Sequence, residues 1–311
     1  MRQAMINCNQ VQTEVITEGR WIEEDPQPHS SKHIVLVIPG NPGVPLFYER
    51  FVKTLKTRLT LDTPVWVIGH AGHVQPPENL DIAMPSNKKW AECYGLSAQL
   101  QHKVEFIKKY IPEDAQLHLI GHSIGAWFVL NLLKNNDINK RIKRCYLLFP
   151  TIEYMAETRN GIFFCTILSR IASLLVFLSW IFTAIFPLFV QTLSIRIFGM
   201  FWGIPARSVT AVLQMLNPKV LERIFNLGKE EMKYVREADH ETISKYADKL
   251  WLYYGTNDNW APKKYYRNII SKHSNLNAHL CQRGFQHAFV LRDDDVEIGH
   301  IVGDLINEDS K

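Results

Sequence analysis

The sequence predicts an α/β fold: a mostly parallel sheet with helices on both faces, interrupted by one large apolar helical insertion. Three observations predict it. Continuous β-branched runs alternate with segments of helical period. A Gly-x-Ser-x-Gly turn joins one such run to one such segment, and a long uncharged stretch breaks the rhythm after residue 150.

Taken in order, residues 1–32 are polar, with Pro26 and Pro28 near their end, and read as a short leading hairpin or arm. His33–Ile38 is a β-branched run that ends at Pro39-Gly40-Asn41-Pro42-Gly43, as a strand buried on both faces enters a loop. Leu46, Phe47, Phe51, Leu55 and Leu59 recur at helical spacing, and Pro64 introduces a second strand, Val65–Ile68. Leu96, Leu100, Val104 and Ile107 mark one face of a helix over 95–110, which Pro112 ends. Leu117, Leu119 and Ile120 form a strand running into Gly121-His122-Ser123-Ile124-Gly125, and Trp127, Leu130 and Leu133 continue at helical period. Ile142–Phe149 is the next strand. The rhythm resumes only at Leu250–Tyr254, followed by a helix from about Pro262, a short strand over Ala278–Cys281 and a last helix from Asp293. The expected organisation is a core built from 1–150 and 249–311, with 151–248 inserted as an apolar lid or membrane hairpin.

Composition narrows the function. With 46% apolar and 21% charged side chains over 311 residues, the chain can bury a core, which excludes disorder. Its 35 basic and 31 acidic residues give a net charge of +4 without a long block of one sign, so nucleic acid is not an expected partner. Cys8, Cys93, Cys145, Cys165 and Cys281 are scattered and odd in number, matching neither a disulfide framework nor a zinc pattern, and a reducing compartment fits them. Met1–Gln10 lacks the apolar core of a secretory signal, so export by that route is not expected.

A serine between two glycines at a strand-to-helix turn is placed to act as a nucleophile. The turn is sharp, strand and helix come close, and Gly121 and Gly125 stand where side chains would clash. A serine hydroxyl needs a histidine to take its proton and a carboxylate to orient that histidine. Asp258, in the polar loop Gly255–Trp260 after a strand, is preferred as the acid over Glu153, which opens the insertion. His287, before the last helix, completes the chain order Ser, Asp, His of the α/β-hydrolase fold. His279 and His300 lie in a strand and a helix and read as surface or packing residues. The oxyanion donors expected are the amides of Ile124 and of Asn41, since Pro39 and Pro42 have no N–H. His70 and His73 lack a nearby third ligand, so they are expected to line the site's rim or hold its loop. Neither a metal nor a cofactor is expected.

Between Arg170 and Arg196 lie 25 residues without a charge, more than the ~20 a bilayer-spanning helix needs. A single crossing would separate Ser123 from Asp258 and His287, so a monotopic hairpin is favoured over a soluble lid. Its arms should meet near Pro187, with Arg170 and Arg196 reaching toward headgroups. The basic cluster Lys140, Arg141, Lys143 and Arg144 reads as a solvated loop more than as a headgroup site.

Ile38–Gly43, His70-Ala71-Gly72-His73, Gly121–Gly125, Phe149–Glu153, Tyr254-Gly255-Thr256 and His287-Ala288-Phe289 together resemble the lipid droplet-associated hydrolase family. The similarity runs from about residue 34 to the end and is weakest across 155–245. Gly284-Phe285-Gln286 before His287 departs from the family's Ile-Pro. The resemblance implies an α/β-hydrolase on lipid droplets linked to cholesterol ester hydrolysis, with Ser123, Asp258 and His287 matching the family's triad. The expected activity is therefore a serine esterase or lipase acting on neutral lipid esters. Its expected place is the phospholipid monolayer of a droplet or the endoplasmic reticulum, with the core facing the cytosol. A weakly active droplet tether, or an acyltransferase or thioesterase using the same serine, are the alternatives.

Overall fold

The computed structural model describes residues 1–26, 31–59, 62–77 and 82–310; Pro28 lies outside them. β1 (Arg2–Cys8) and β2 (Val11–Glu18) form the leading hairpin. Its two-residue turn, Asn9-Gln10, has positive φ at both positions, the I′ geometry that matches strand twist. The hairpin is more than an arm, because β2 is mostly buried and extends the main sheet. The parallel strands are β3 (His33–Ile38), β4 (Val65–Ile68), β5 (Gln116–His122), β6 (Ile142–Leu148), β7 (Leu250–Tyr254) and β8 (Asn277–Leu280). The sheet order is β1-β2-β4-β3-β5-β6-β7-β8, antiparallel only at β1/β2 and β2/β4.

Counting helices of eight or more residues, α1 is Glu49–Lys56, α2 Leu96–Tyr110, α3 Ile124–Leu133, α4 Ser169–Ile185, α5 Leu188–Trp202, α6 Pro218–Tyr234, α7 Lys263–Lys272 and α8 Asp294–Asp309. The expected first helix is split: Leu46 and Phe47 sit in a 3-10 turn, and α1 stops at Lys56, before Leu59. β8 begins one residue earlier than expected.

Both faces of the sheet are covered. Along β3, Ile34, Leu36 and Ile38 pack with Phe128 and Leu132 of α3, while Val35 and Val37 pack with Phe51 of α1 and Val302 of α8. A strand with apolar side chains on both sides suits this two-faced burial.

Between β6 and β7 the chain leaves the sheet. Residues Arg159–Ile185 form one helical stretch of 27 residues with a π-turn at Phe164–Leu168, about 40 Å long at ~1.5 Å per residue. The direction breaks at Phe186-Pro187, because proline cannot supply the amide a continuing helix needs, and α5 follows. Arg170 is in the first turn of α4. Arg196 lies within α5, and the apolar surface continues past it through exposed Ile197, Phe198, Met200, Phe201 and Trp202. The basic cluster flanks the start of β6, away from the carboxyl ends of the strands. Arg141 there bonds the Ile111 and Pro112 carbonyls, and Arg144 pairs with Asp309.

Candidate active site

The site is assembled at the carboxyl ends of β3, β5 and β7, where an open parallel sheet leaves room for ligands. β5 ends at His122, and Ser123 follows with φ 54° and ψ −122°, a strained conformation for a residue with a side chain. The neighbouring glycines explain how the strain is held. A Cβ on Gly121 would meet the Gly125 carbonyl oxygen at 2.7 Å, and one on Gly125 would meet that of Ile38 at 2.2 Å. Strand and helix are thereby locked around the serine.

Two distant segments converge on it. Nε2 of His287 stands 2.9 Å from Ser123 Oγ, and Nδ1 stands 2.7 Å from Asp258 Oδ2. The other carboxylate oxygen of Asp258 accepts from the amides of Trp260 and Ala261 at 2.7 and 3.0 Å. Burial pushes the Asp258 carboxyl up, but the His287 imidazole and these two amides outweigh it and hold the group below its ordinary range. Glu153 does not reach His287. It accepts from Asn268 at 3.2 Å, its other oxygen has no partner among the described residues, and burial raises its carboxyl.

The expected oxyanion donors belong to Ile124, next to the serine in the chain, and Asn41, in the loop that packs on it through Gly40. Gly40 packs so closely that a Cβ there would stand 3.0 Å from Ser123 Cβ. Its N–H is already given to the Tyr48 hydroxyl at 2.8 Å, whereas the Asn41 and Ile124 amides have no acceptor among the described residues. Asn41 and Ser123 line the same cavity, of about 690 Å³, whose wall is largely apolar and includes Phe164, Phe182, Ile195, Phe198 and Leu291. α4 and α5 thus form part of the cavity wall.

A profile described as lipid-droplet associated hydrolase matches residues 31–290. The chain belongs to the lipid droplet-associated hydrolase family. The protein of that name from Drosophila melanogaster is 40% identical over 308 residues, covering 99% of each chain. The human one is 33% identical, with 99% of this chain and 96% of its own length covered. Among solved structures, a serine hydrolase from Cycloclasticus zankles superposes with a TM-score of 0.61 over 98% of both chains at 14% identity, a likeness of fold. Family and fold together support a hydrolase with the α/β-hydrolase architecture.

Several residues around the triad were not singled out by sequence reasoning. His122 is buried between loops: Nδ1 accepts from the Tyr48 hydroxyl at 2.6 Å, and Nε2 donates to the His287 carbonyl at 2.9 Å. Burial, with the neighbouring His287, lowers it to about 3, so it stays neutral. Gly40, Tyr48, His122 and His287 therefore form one hydrogen-bonded chain across three loops. His70 and His73 do not line the cavity but brace the loop behind it. Gly43 N–H donates to His73 Nδ1 at 3.0 Å, and a Cβ on Gly43 would fall 2.2 Å from the His70 ring. Among the described residues, no three potential ligands gather to hold a metal ion. The last surprise is Glu231 of α6, an acid in the cavity wall bonded to the Asn41 side chain at 2.9 Å.

Proposed function

We propose that this chain is a serine carboxylic ester hydrolase acting on neutral lipid esters at a phospholipid-covered lipid surface. The observation that carries the reading is the Ser123–His287–Asp258 chain at the wall of an apolar cavity. Ser123 Oγ attacks the ester carbonyl while its proton passes to His287 Nε2, and the developing oxyanion accepts from the Ile124 and Asn41 amides. The alcohol leaves with the proton from His287. Water, deprotonated by the same imidazole, then attacks the acyl-enzyme and releases the carboxylic acid. Asp258 holds the His287 tautomer and offsets its transient charge.

The surface reading rests on where apolar side chains are exposed. Among the described residues, 18 of the 20 exposed large hydrophobic side chains lie between Ile162 and Trp202, and Met200 and Phe201 are each 83% exposed. Each such side chain transferred from water contributes ~2 kcal/mol, so ten would give at most about 20 kcal/mol. A droplet monolayer and the endoplasmic reticulum both offer that phase to a core facing the cytosol, and cholesterol esters are among the candidate substrates there.

The test uses the full chain and isolated droplets. Ser123→Ala should keep droplet binding yet lose ester cleavage and labelling by a serine-directed fluorophosphonate. Phe189→Arg combined with Phe201→Arg should do the reverse, weakening binding while labelling in detergent persists. Labelling that survives Ser123→Ala refutes the assigned nucleophile.

A further inference from the structure

The cavity contains an acid for which the reaction above has no use. Glu231 is 4% exposed and lines the cavity wall. Val220, Ile224, Leu227 and Glu231 share one face of α6, so the carboxyl occupies a place where the pattern calls for an apolar residue. Oε1 accepts from Asn41 Nδ2 at 2.9 Å, and the same nitrogen donates to the Ile224 carbonyl at 3.0 Å. Oε2 has no hydrogen-bond partner among the described residues, and Glu231 lines the cavity, which the buried Glu153 does not. Among the described residues no cation pairs with the carboxyl, and burial raises it to about 7.

The group that would complete this arrangement can be argued from its chemistry. A hydroxyl both donates and accepts, so it pairs with the carboxyl whether or not that carries its proton. A pure acceptor pairs only with the protonated form. The location is also constrained: Glu231 holds Asn41, and Asn41 follows Gly40, which packs on Ser123. A ligand group at Oε2 is therefore close to the reacting carbonyl and far from the end of a long chain.

Resting on the reading of Ser123 as an ester-cleaving nucleophile, we propose that Glu231 is a hydrogen-bonding subsite. It selects lipid esters with a free hydroxyl a few bonds from the scissile carbonyl, as partial acylglycerols have, over esters that are apolar on both sides. A site built to bond a hydroxyl discriminates against the analogue without it by roughly tenfold or more.

The experiment compares monooleoylglycerol with its dimethyl ether in the same detergent micelles, using the full chain. Wild type should cleave the free diol with kcat/KM at least tenfold higher. Glu231→Leu should bring that ratio to near one, and Glu231→Gln, which keeps a polar pair for both Asn41 and a hydroxyl, should retain most of it. The ratio is the readout, since either substitution also disturbs Asn41. Equal cleavage of the two esters by wild type, or a ratio unchanged in Glu231→Leu, overturns the subsite while leaving the esterase intact. Should Glu231→Leu fail to fold, the wild-type ratio and Glu231→Gln still decide. Cleavage of neither ester, with Ser123 unlabelled by fluorophosphonate, refutes the esterase reading itself and the subsite with it.

Discussion

Tyr48→Phe removes a single oxygen that serves two buried groups. The hydroxyl accepts from Gly40 N–H at 2.8 Å and donates to His122 Nδ1 at 2.6 Å, and Tyr48 is 2% exposed. The ring itself would stay in place against Phe289, an edge contact at 6.5 Å between centroids. The loss is therefore polar, without a cavity the size of a side chain. Each orphaned group costs about 1–3 kcal/mol; with partial relaxation of the loop, a total of about 2–4 kcal/mol is expected. Urea unfolding of the full chain in mild detergent, followed by tryptophan fluorescence, measures it. The same change loosens Gly40 and so the Asn41 amide beside it. Losing one oxyanion donor outright costs ~3 kcal/mol of barrier, so a slackened one should lower kcat about tenfold with little change in KM. Wild-type stability together with a kcat within twofold of wild type would refute the idea that this hydroxyl ties the loops together.

Two further expectations follow from the acids. Asp258→Asn should lower kcat by about 10⁴ through the wrong His287 tautomer, whereas Glu153→Gln should change it less than twofold; equal losses in steady-state assays would reverse the assignment. Glu231, raised from its ordinary 4.5 to about 7, keeps its proton in the folded chain across a window where the unfolded chain has released it. Stability should then fall by up to about 3 kcal/mol as pH rises from about 4.5 to 7, and chemical unfolding of Glu231→Gln at pH 5 and pH 8 should lack that decline.

Much of the core was legible because its signals are local. β3, β4, β5, β6 and β7 are short apolar runs closed by turn residues, and the Gly121–Gly125 turn announces its own geometry. Asp258 and His287 were readable from chain order and from their loops. Tyr48, His122 and Glu231 were not, since each acquires its role from a partner far along the chain, as Glu231 does from Asn41 across 190 positions. Only Glu231 left a trace, a carboxyl on the apolar stripe of an amphipathic helix. His70 and His73 were placed near the site by their motif, but their spacing could not tell a rim from a buried brace.

Helical geometry lets one apolar insertion serve as a cavity wall and, on the reading proposed above, as an anchor. A helix needs only about 100° of its surface to cover one neighbour. Phe182 of α4 and Ile195 and Phe198 of α5 line the cavity and α4 also packs on α6, while most of the remaining surface of both helices is apolar and exposed. A soluble lid would carry polar residues there. Both ends of the apolar helical pair are also tied to the loops that carry Asp258 and His287: Asn160 N–H donates to the Asn259 carbonyl at 3.2 Å, and Arg292 donates to that of Gly203 at 3.2 Å. The chain thus leaves from beside the acid loop and returns beside the segment that follows His287. An excursion that starts and ends at one edge of the core can enter an oily phase and come back without separating Ser123 from its partners. One stretch of sequence can therefore wall the cavity with one face and expose the other.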